Sequence, residues 1–529
     1  MKNFLFLSSS VLLIFALIYS CSSETEDTST LPAVTKPKES EPDPTKYTLT
    51  VTAGDGGTVS TEGGAYDEGT EINVIATPNE GYEFVRWEGI QSFSGNNIKV
   101  SVNTNISLEA VFKKTNLSLI VSLIEGPSDK VVTGFQLTGL IPFDDNNIFF
   151  NPTDFFTYPT YPMLHLKRDS IWKLNKIYDD MHFQVIRDFK ILDEKNFVVA
   201  DQGLEIGQED RSAAVDLGIL DMGETYHLNF ENDVLTRNKL SPTRAFYHSI
   251  DAGDLDGDNK NDIVSMYMAL PAGVDDNNKG TRMYMFSESG EGNSNFIETT
   301  GKIKTLDWES TNIGAILIDE FTGDNQLDLI RFTYKPATGF EINEDFLYSY
   351  ELLTYNANTE KIERIIRKSR FSEIPLNYGV AWSRATDYDS DSDKDLIVFI
   401  EENTGLCNIQ LWNNDGSGNF EYDTEILSSE QIGFNTRDFE VYDFDNDGDL
   451  DLFLHPFGTV EYPINFSEYI YENNNGVFSK YQNEVIYDDE IVNLYYMRLH
   501  VVDGKPHYLG IEKMPEGTIK LFDFKLNLE

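Results

Sequence analysis

Apolar residues recur at every second position through much of the chain. Tyr47-Thr48-Leu49-Thr50-Val51-Thr52 alternates, as do Ile72-Asn73-Val74-Ile75-Ala76, Ile98 to Val102 and Ile106 to Phe112. A period of two sends successive side chains to opposite faces, so each run predicts a half-buried β-strand. Gly54-Asp55-Gly56-Gly57, Gly63-Gly64 and Glu68-Gly69 punctuate these runs as turns. Further along, short apolar runs follow acidic stretches: Ile263-Val264, Leu329-Ile330, Leu396-Ile397-Val398 and Leu452-Phe453-Leu454. The pattern predicts an all-β protein, with a small β domain over residues 47–113 and a larger one over 114–529.

The start of the chain stands outside that pattern. Met1-Lys2-Asn3 is a short charged opening, and Phe4 to Tyr19 is largely apolar but too short to read as a spanning helix. Residues 1–20 are therefore expected to be a secretory signal. Ile18-Tyr19-Ser20-Cys21 resembles the lipobox of bacterial lipoproteins, which implies cleavage before Cys21 and lipidation of its thiol. Residues 21–46, rich in Ser, Thr, Pro and acids, read as a solvated tether. Within it, Ser22-Ser23-Glu24-Thr25-Glu26-Asp27 resembles the acidic tract that sends some Bacteroidetes lipoproteins to the outer face of the outer membrane. The expected location is that face, with the lipid as the sole hold on the membrane.

The small domain carries more than alternation. Gly56-Gly57-Thr58-Val59, Pro78-Asn79-Glu80-Gly81-Tyr82-Glu83-Phe84-Val85-Arg86-Trp87 and the closing Ala110-Val111-Phe112 resemble the divergent internalin-type B-repeat. That likeness implies a spacer or adhesive stalk unit. Trp87, at that spacing, is expected in the core.

Four acidic loops dominate the larger part. They begin at Asp254, Glu320, Asp387 and Asp443, so successive starts lie 66, 67 and 56 residues apart. Each spans nine residues and runs directly into an apolar strand, and β units repeating at this length indicate a propeller or stacked array. Weaker copies begin at Asp188, Asp144 and Val501, which brings the expected blade number to seven. Leu117, Leu119, Val121 and Leu123 alternate in the segment that would supply the last blade's missing strand.

Acids at loop positions 1, 3, 5 and 9, with a carbonyl at 7, offer a hard cation several oxygens from one tight turn. An EF-hand is excluded, because position 12 holds Ser265 or Leu454 instead of glutamate. The loops resemble the calcium-binding FG-GAP or VCBS-type repeats of integrin-α-like propellers. Carried over, the resemblance assigns Ca²⁺ to Asp254, Asp256, Asp258 and Asp262; to Asp387, Asp389, Asp391 and Asp395; and to Asp443, Asp445, Asp447 and Asp451. The second loop departs from the pattern, with Glu320, Thr322, Asp324 and Asp328, so three sites are expected and a weaker fourth. Affinities of roughly 10⁻⁴–10⁻³ M would make the ion structural.

Charge narrows the partners. The 529 residues carry 41 Lys+Arg against 89 Asp+Glu, a net −48, which repels nucleic acid and anionic lipid. With 40% hydrophobic and 13% aromatic residues, the chain is nonetheless globular. Apart from Cys21 the only cysteine is Cys407, so no internal disulfide is available and the thiol is expected to be buried. There is no Gly-x-Ser-x-Gly, no His-Glu-x-x-His and no phosphate-cradling loop. The seven histidines do not pair at metal-ligand spacing along the chain.

Scarce basic residues gather just before the loops, at Arg187, His248, Arg384, Arg437, Arg498 and His500. On innermost strands they would line a central channel suited to an acidic ligand, unless Asp188, Asp438 and Glu440 pair with them. Tyr158 and Tyr161, in an aromatic segment after Phe149-Phe150, are a second candidate surface for sugars or a partner protein. The expected function is non-catalytic binding or adhesion at the cell surface, with a glycan or surface protein as ligand. A propeller-type polysaccharide lyase acting on an acidic glycan is the alternative, and a scaffold subunit of an outer-membrane complex a third.

Overall fold

Short alternating runs cannot bury their apolar faces alone, and here they pair into sheets that stack face to face. The computed structural model describes residues 45–79, 82–89, 95–114, 117–124, 139–151, 161–169, 172–203, 223–267, 283–290, 295–304, 313–333, 348–374, 378–389, 391–402, 407–432, 436–445, 447–456, 464–474, 476–482, 486–487, 494–513 and 519–528. The expected signal, the expected tether up to residue 44 with Cys21, and Tyr158 fall outside these segments, Lys46 at the tether's expected end already belongs to a strand, and of Tyr161 only the backbone is described.

Seven strands between Lys46 and Lys114 build the small domain as a four-stranded and a three-stranded sheet. The outer two in sequence, Lys46–Ala53 and Ile106–Lys114, run parallel, with Leu49 opposite Ile106 and Ala53 opposite Ala110. In Asn97–Val102 the strict alternation buries Ile98, Val100 and Val102 and exposes the residues between. These meet Leu49, Val51, Val74, Leu108 and Trp87 in one core. Trp87 is 5% exposed, which makes it a packing residue.

Beyond Lys114 the described residues hold seven four-stranded sheets. Their first strands are Leu140–Asp144, Ile186–Ile191, Tyr247–Gly253, Ile313–Asp319, Tyr378–Thr386, Thr436–Tyr442 and Leu494–Val502. From the second sheet to the sixth successive first strands touch, and the seventh touches the first, so they form the inner wall of a propeller. Separate apolar clusters glue the first sheet to the second, and each following sheet to its successor up to the seventh. One more cluster joins Val502, Leu509 and Leu521 of the seventh sheet to Leu140, Phe150 and Trp172 of the first. Phe149 and Phe150 are fully buried within the first sheet.

The seventh sheet is assembled from both ends of the domain. Leu117–Ile124 adds as its fourth strand, antiparallel to Ile519–Leu528, with Leu117 opposite Leu528 and Ile124 opposite Leu521. This is the closure that the alternation over 117–123 predicts. Cys407 is 1% exposed in the interface between the fifth and sixth sheets. Among the described residues no helix is long and apolar enough to cross a membrane.

All seven inner strands share a register shift against the second strand of their sheet. Such bulges bend a strand and re-aim its side chains. The weak copy assigned to Asp188 is displaced accordingly. Asp188 lies within the inner strand, where its carboxylate accepts from Ser249 Oγ (2.9 Å) and Ile250 N (3.0 Å), and the turn itself follows at Leu192 to Lys195.

Candidate metal centres and the central channel

All four acidic loops join the first strand of a sheet to its second, in sheets three to six, so they emerge at one end of the propeller. Their local construction repeats. The aspartate at position 9 turns back and accepts from the backbone N–H at position 2: Asp262 from Leu255 (3.2 Å), Asp328 from Phe321 (3.2 Å), Asp395 from Tyr388 (3.0 Å) and Asp451 from Phe444 (3.1 Å). Leu255, Phe321 and Phe444 are thereby pinned in the core. The other oxygen of Asp395 accepts from Asn414 N (2.9 Å), just past the third strand, and that of Asp451 from Asn473 N (2.9 Å) within it. Position 6 adopts a left-handed backbone in every loop, at Asn259, Asn325, Ser392 and Gly448, which curls the acidic side chains inward.

Three loops bring carboxylates together. Asp254, Asp256 and Asp262 each offer an oxygen within 4.8 Å of the others, as do Asp387, Asp389 and Asp395, and Asp443, Asp445 and Asp451. Positions 1, 3 and 9 thus converge. Position 5 does not join them: Asp258, Asp391 and Asp447 instead accept from the N–H at position 7. Burial, ahead of neighbouring charge, pushes Asp451 up to about 8 and Asp262 up to about 6. Among the described residues Asp256 Oδ1 and Asp443 Oδ1 are buried without a hydrogen-bond partner. Crowded, desolvated carboxylates with orphaned oxygens are what a bound cation relieves, so the first and fourth loops fit a metal ion; in the third, Asp387 and Asp389 are exposed and the fit rests on the convergence with buried Asp395.

The second loop brings no such triad together. Glu320 Oε1 accepts from Thr322 N (3.1 Å), Gly323 N and Asp324 N (3.1 Å), its extra methylene letting it fill the turn. Thr322 Oγ1 donates to Asp328 at 3.0 Å. Glu320, Asp324 and Asp328 do not converge as the other triads do. The first loop has its own peculiarity, because Lys302 Nζ is ion-paired to Asp256.

The inner wall binds its own charges. Arg384 donates to Glu440 (2.7 and 3.0 Å) and to Asp438 (3.3 Å), across from the fifth sheet to the sixth. Arg498 lies 3.6 Å from Asp438 and over the Phe189 ring, and Arg187 stacks on Trp382 from the second sheet to the fifth. Although burial opposes it, Arg384 and Arg498 hold Asp438 well below the usual carboxylate range. His248 is half-buried on its inner strand. Arg437 lies on Thr436–Tyr442, where its backbone alone is described. A cavity of about 370 Å³ opens where Phe143, Phe189, Glu440, Arg498 and His500 meet. Arg187, Arg384 and Arg498 are therefore internal struts, each committed to a carboxylate or a ring.

One group joins side chains that lie apart along the chain. His500, His507 and Asp523, all buried, converge within 4.8 Å on the seventh sheet. Pairing across one hairpin brings the two histidines together, where separation along the chain shows no motif.

Comparison with known proteins assigns the two parts separately. Residues 47–116 match the divergent InlB B-repeat domain, and residues 387–454, which span the third and fourth acidic loops, match the FG-GAP-like repeat. A search of the curated proteins found no match. Among solved structures, the chain is similar to a six-bladed β-propeller lectin from Aleuria aurantia that recognises fucose. The identity is 8%, the TM-score 0.30, and the match covers 73% of this chain and 96% of that one, a likeness too loose to carry any functional argument. The chain is thus similar to a divergent InlB B-repeat domain at its start and to FG-GAP-like repeats within an all-β propeller.

Proposed function

We propose that this protein is a non-catalytic binding module, displayed outside the cell on a seven-bladed propeller stabilised by calcium. The three carboxylate triads at one end of the ring carry the reading. Their donors are all oxygens in tight turns, which suits Ca²⁺ and not a softer ion. Asp254, Asp256 and Asp262 would hold one ion, Asp387, Asp389 and Asp395 a second, and Asp443, Asp445 and Asp451 a third. The ion supplies positive charge that lets each buried aspartate stay ionised while it staples its loop. Lipidation at Cys21, the tether and the small β domain would hold the propeller off the outer membrane.

A cleft of about 600 Å³ between the third and fourth sheets is the ligand site this reading favours. It places Tyr355 beside Asp256, Glu298, Lys302 and Glu360, an aromatic ring amid donors and acceptors of both signs. That lining suits a polyhydroxylated ligand, so a glycan is preferred over a protein partner. A lyase would need free arginine to neutralise an acidic sugar, and Arg384 and Arg498 are bound to Asp438 and Glu440. Glycan-array binding by the wild-type chain and by Tyr355→Ala tests the assignment. Retention of a glycan that Tyr355→Ala loses, at unchanged melting temperature, supports it; equal retention by both, or release of unsaturated sugar, overturns it.

A further inference from the structure

The group on the seventh sheet differs in kind from the acidic loops. His500 and His507 face each other across the hairpin Leu494–Val502 and Lys505–Lys513, as a directly opposed pair. Asp523 stands on the next strand, opposite Leu509, while His507 is opposite Lys525; His507 and Asp523 are thus diagonal neighbours on one face. His507 Nδ1 lies 2.8 Å from Asp523 Oδ1, and His500 Nε2 lies 3.9 Å from the same oxygen. Neither ring nitrogen of His500 has a hydrogen-bond partner among the described residues, though the side chain is 1% exposed. Trp172, from the first sheet, covers the His500 ring edge-on at 6.0 Å.

A buried imidazole with both nitrogens unpaired is costly, and hydrogen bonding within the group leaves it so. We propose that His500, His507 and Asp523 bind one divalent transition-metal ion of the zinc class. Tetrahedral zinc, with bonds of about 2.1 Å, needs donor atoms about 3.4 Å apart, and the two observed separations from Asp523 straddle that value. The ion takes the place of the proton between His507 Nδ1 and Asp523, which moves to Nε2. Two imidazoles and one carboxylate select zinc, copper or nickel and exclude the oxygen-seeking Ca²⁺. Arg168 and Lys525 are the nearby cations; Arg168 is engaged with Asp503 at 2.7 Å. His500 also helps to line the channel cavity.

The site bridges three strands of the sheet whose fourth strand comes from the other end of the domain. Its role is accordingly structural, a clamp on the sheet that closes the ring. The donor set shares no residue with the acidic loops, so it stands or falls apart from the calcium reading.

Zinc titration of the purified chain, with Ca²⁺ held at saturation to fill the loops, is the test. One equivalent of Zn²⁺ is expected, and Co²⁺ in its place should show the intense visible bands of four-coordination. His500→Gln and Asp523→Asn should each weaken Zn²⁺ by more than the roughly 10–100-fold typical of losing an outer-shell partner. X-ray absorption on the zinc-loaded wild type needs no variant and should show two imidazoles at about 2.0–2.1 Å. Absence of stoichiometric Zn²⁺ binding, an all-oxygen shell, or affinity unchanged in both variants would overturn the proposal.

Discussion

Replacing Asp451 separates what its carboxylate does for the fold from what it does for an ion. The side chain is 1% exposed, and its two oxygens accept from Phe444 N at 3.1 Å and Asn473 N at 2.9 Å. Asp451→Ala strands both buried donors, at about 1–3 kcal/mol each, or about 2–6 kcal/mol together. In 10 mM Ca²⁺ it also forfeits binding linkage, worth about 1.4–2.7 kcal/mol for dissociation constants of roughly 10⁻³ to 10⁻⁴ M. In chelator that second loss vanishes. Removing a carboxylate that burial pushes up to about 8 then offsets part of the first, since ionising it at neutral pH is costly without a cation. Denaturant unfolding of wild type and variant, each in 10 mM Ca²⁺ and in chelator, reads the difference. The penalty should be larger in Ca²⁺ by at least about 1.4 kcal/mol. Asp328→Ala is the internal control, because the same staple in the second loop (Phe321 N and Thr322 Oγ1) operates without a triad. Its penalty should be equal in the two buffers. An Asp451→Ala penalty independent of Ca²⁺, or an Asp328→Ala penalty that tracks it, would refute the reasoning.

Three further outcomes follow from other sites. Lys302→Met should strengthen Ca²⁺ at the first loop, because its ammonium competes for Asp256; calorimetric titration should show the weakest of the three sites gaining affinity, and no gain would contradict the competition. Glu351 and Arg331 form an ion pair with both side chains fully buried, so Glu351→Leu should cost about 3–5 kcal/mol in unfolding experiments by leaving a buried guanidinium without its carboxylate. His165 is fully buried as a neutral imidazole, its Nε2 2.8 Å from Asn147 Oδ1 and its Nδ1 accepting from Asn175 at 3.1 Å. Burial pushes it down to about 4, from an unfolded value near 6.5. Its contribution is therefore complete above pH 6.5 and lost as pH falls towards 4, about 3 kcal/mol in all. The stability difference between wild type and His165→Gln should shrink across that window, and a constant difference would contradict the assignment.

Local signals carry most of this fold. Alternation over residues 97–102 translates directly into a buried face, and that over 117–123 falls on the strand that closes the last sheet. The acidic loops are equally legible, since position 9 begins a strand in all four. Position 5 is not: whether Asp258 turns to the ion or to its own backbone is decided by turn geometry that composition does not carry. The fate of Arg384 is a contact between neighbouring sheets, with Glu440 56 residues away; the sequence offers Asp188, Asp438 and Glu440 as partners but does not choose among them. His500 and His507 are different, because the signal was present. Asp503-Gly504 is a two-residue hairpin turn with positive φ at both positions, and counting outward from it pairs residue 500 with 507. Separation along the chain does not measure proximity across a hairpin.

The central claim is that calcium holds the propeller together through three carboxylate triads. Calorimetric Ca²⁺ titration of the metal-free chain, followed by melting in Ca²⁺ and in chelator, tests it most directly. The account predicts three equivalents bound through Asp254, Asp387 and Asp443 and their partners, with a melting temperature that rises with Ca²⁺ concentration. A chain that binds no Ca²⁺ and melts at the same temperature in chelator would contradict it.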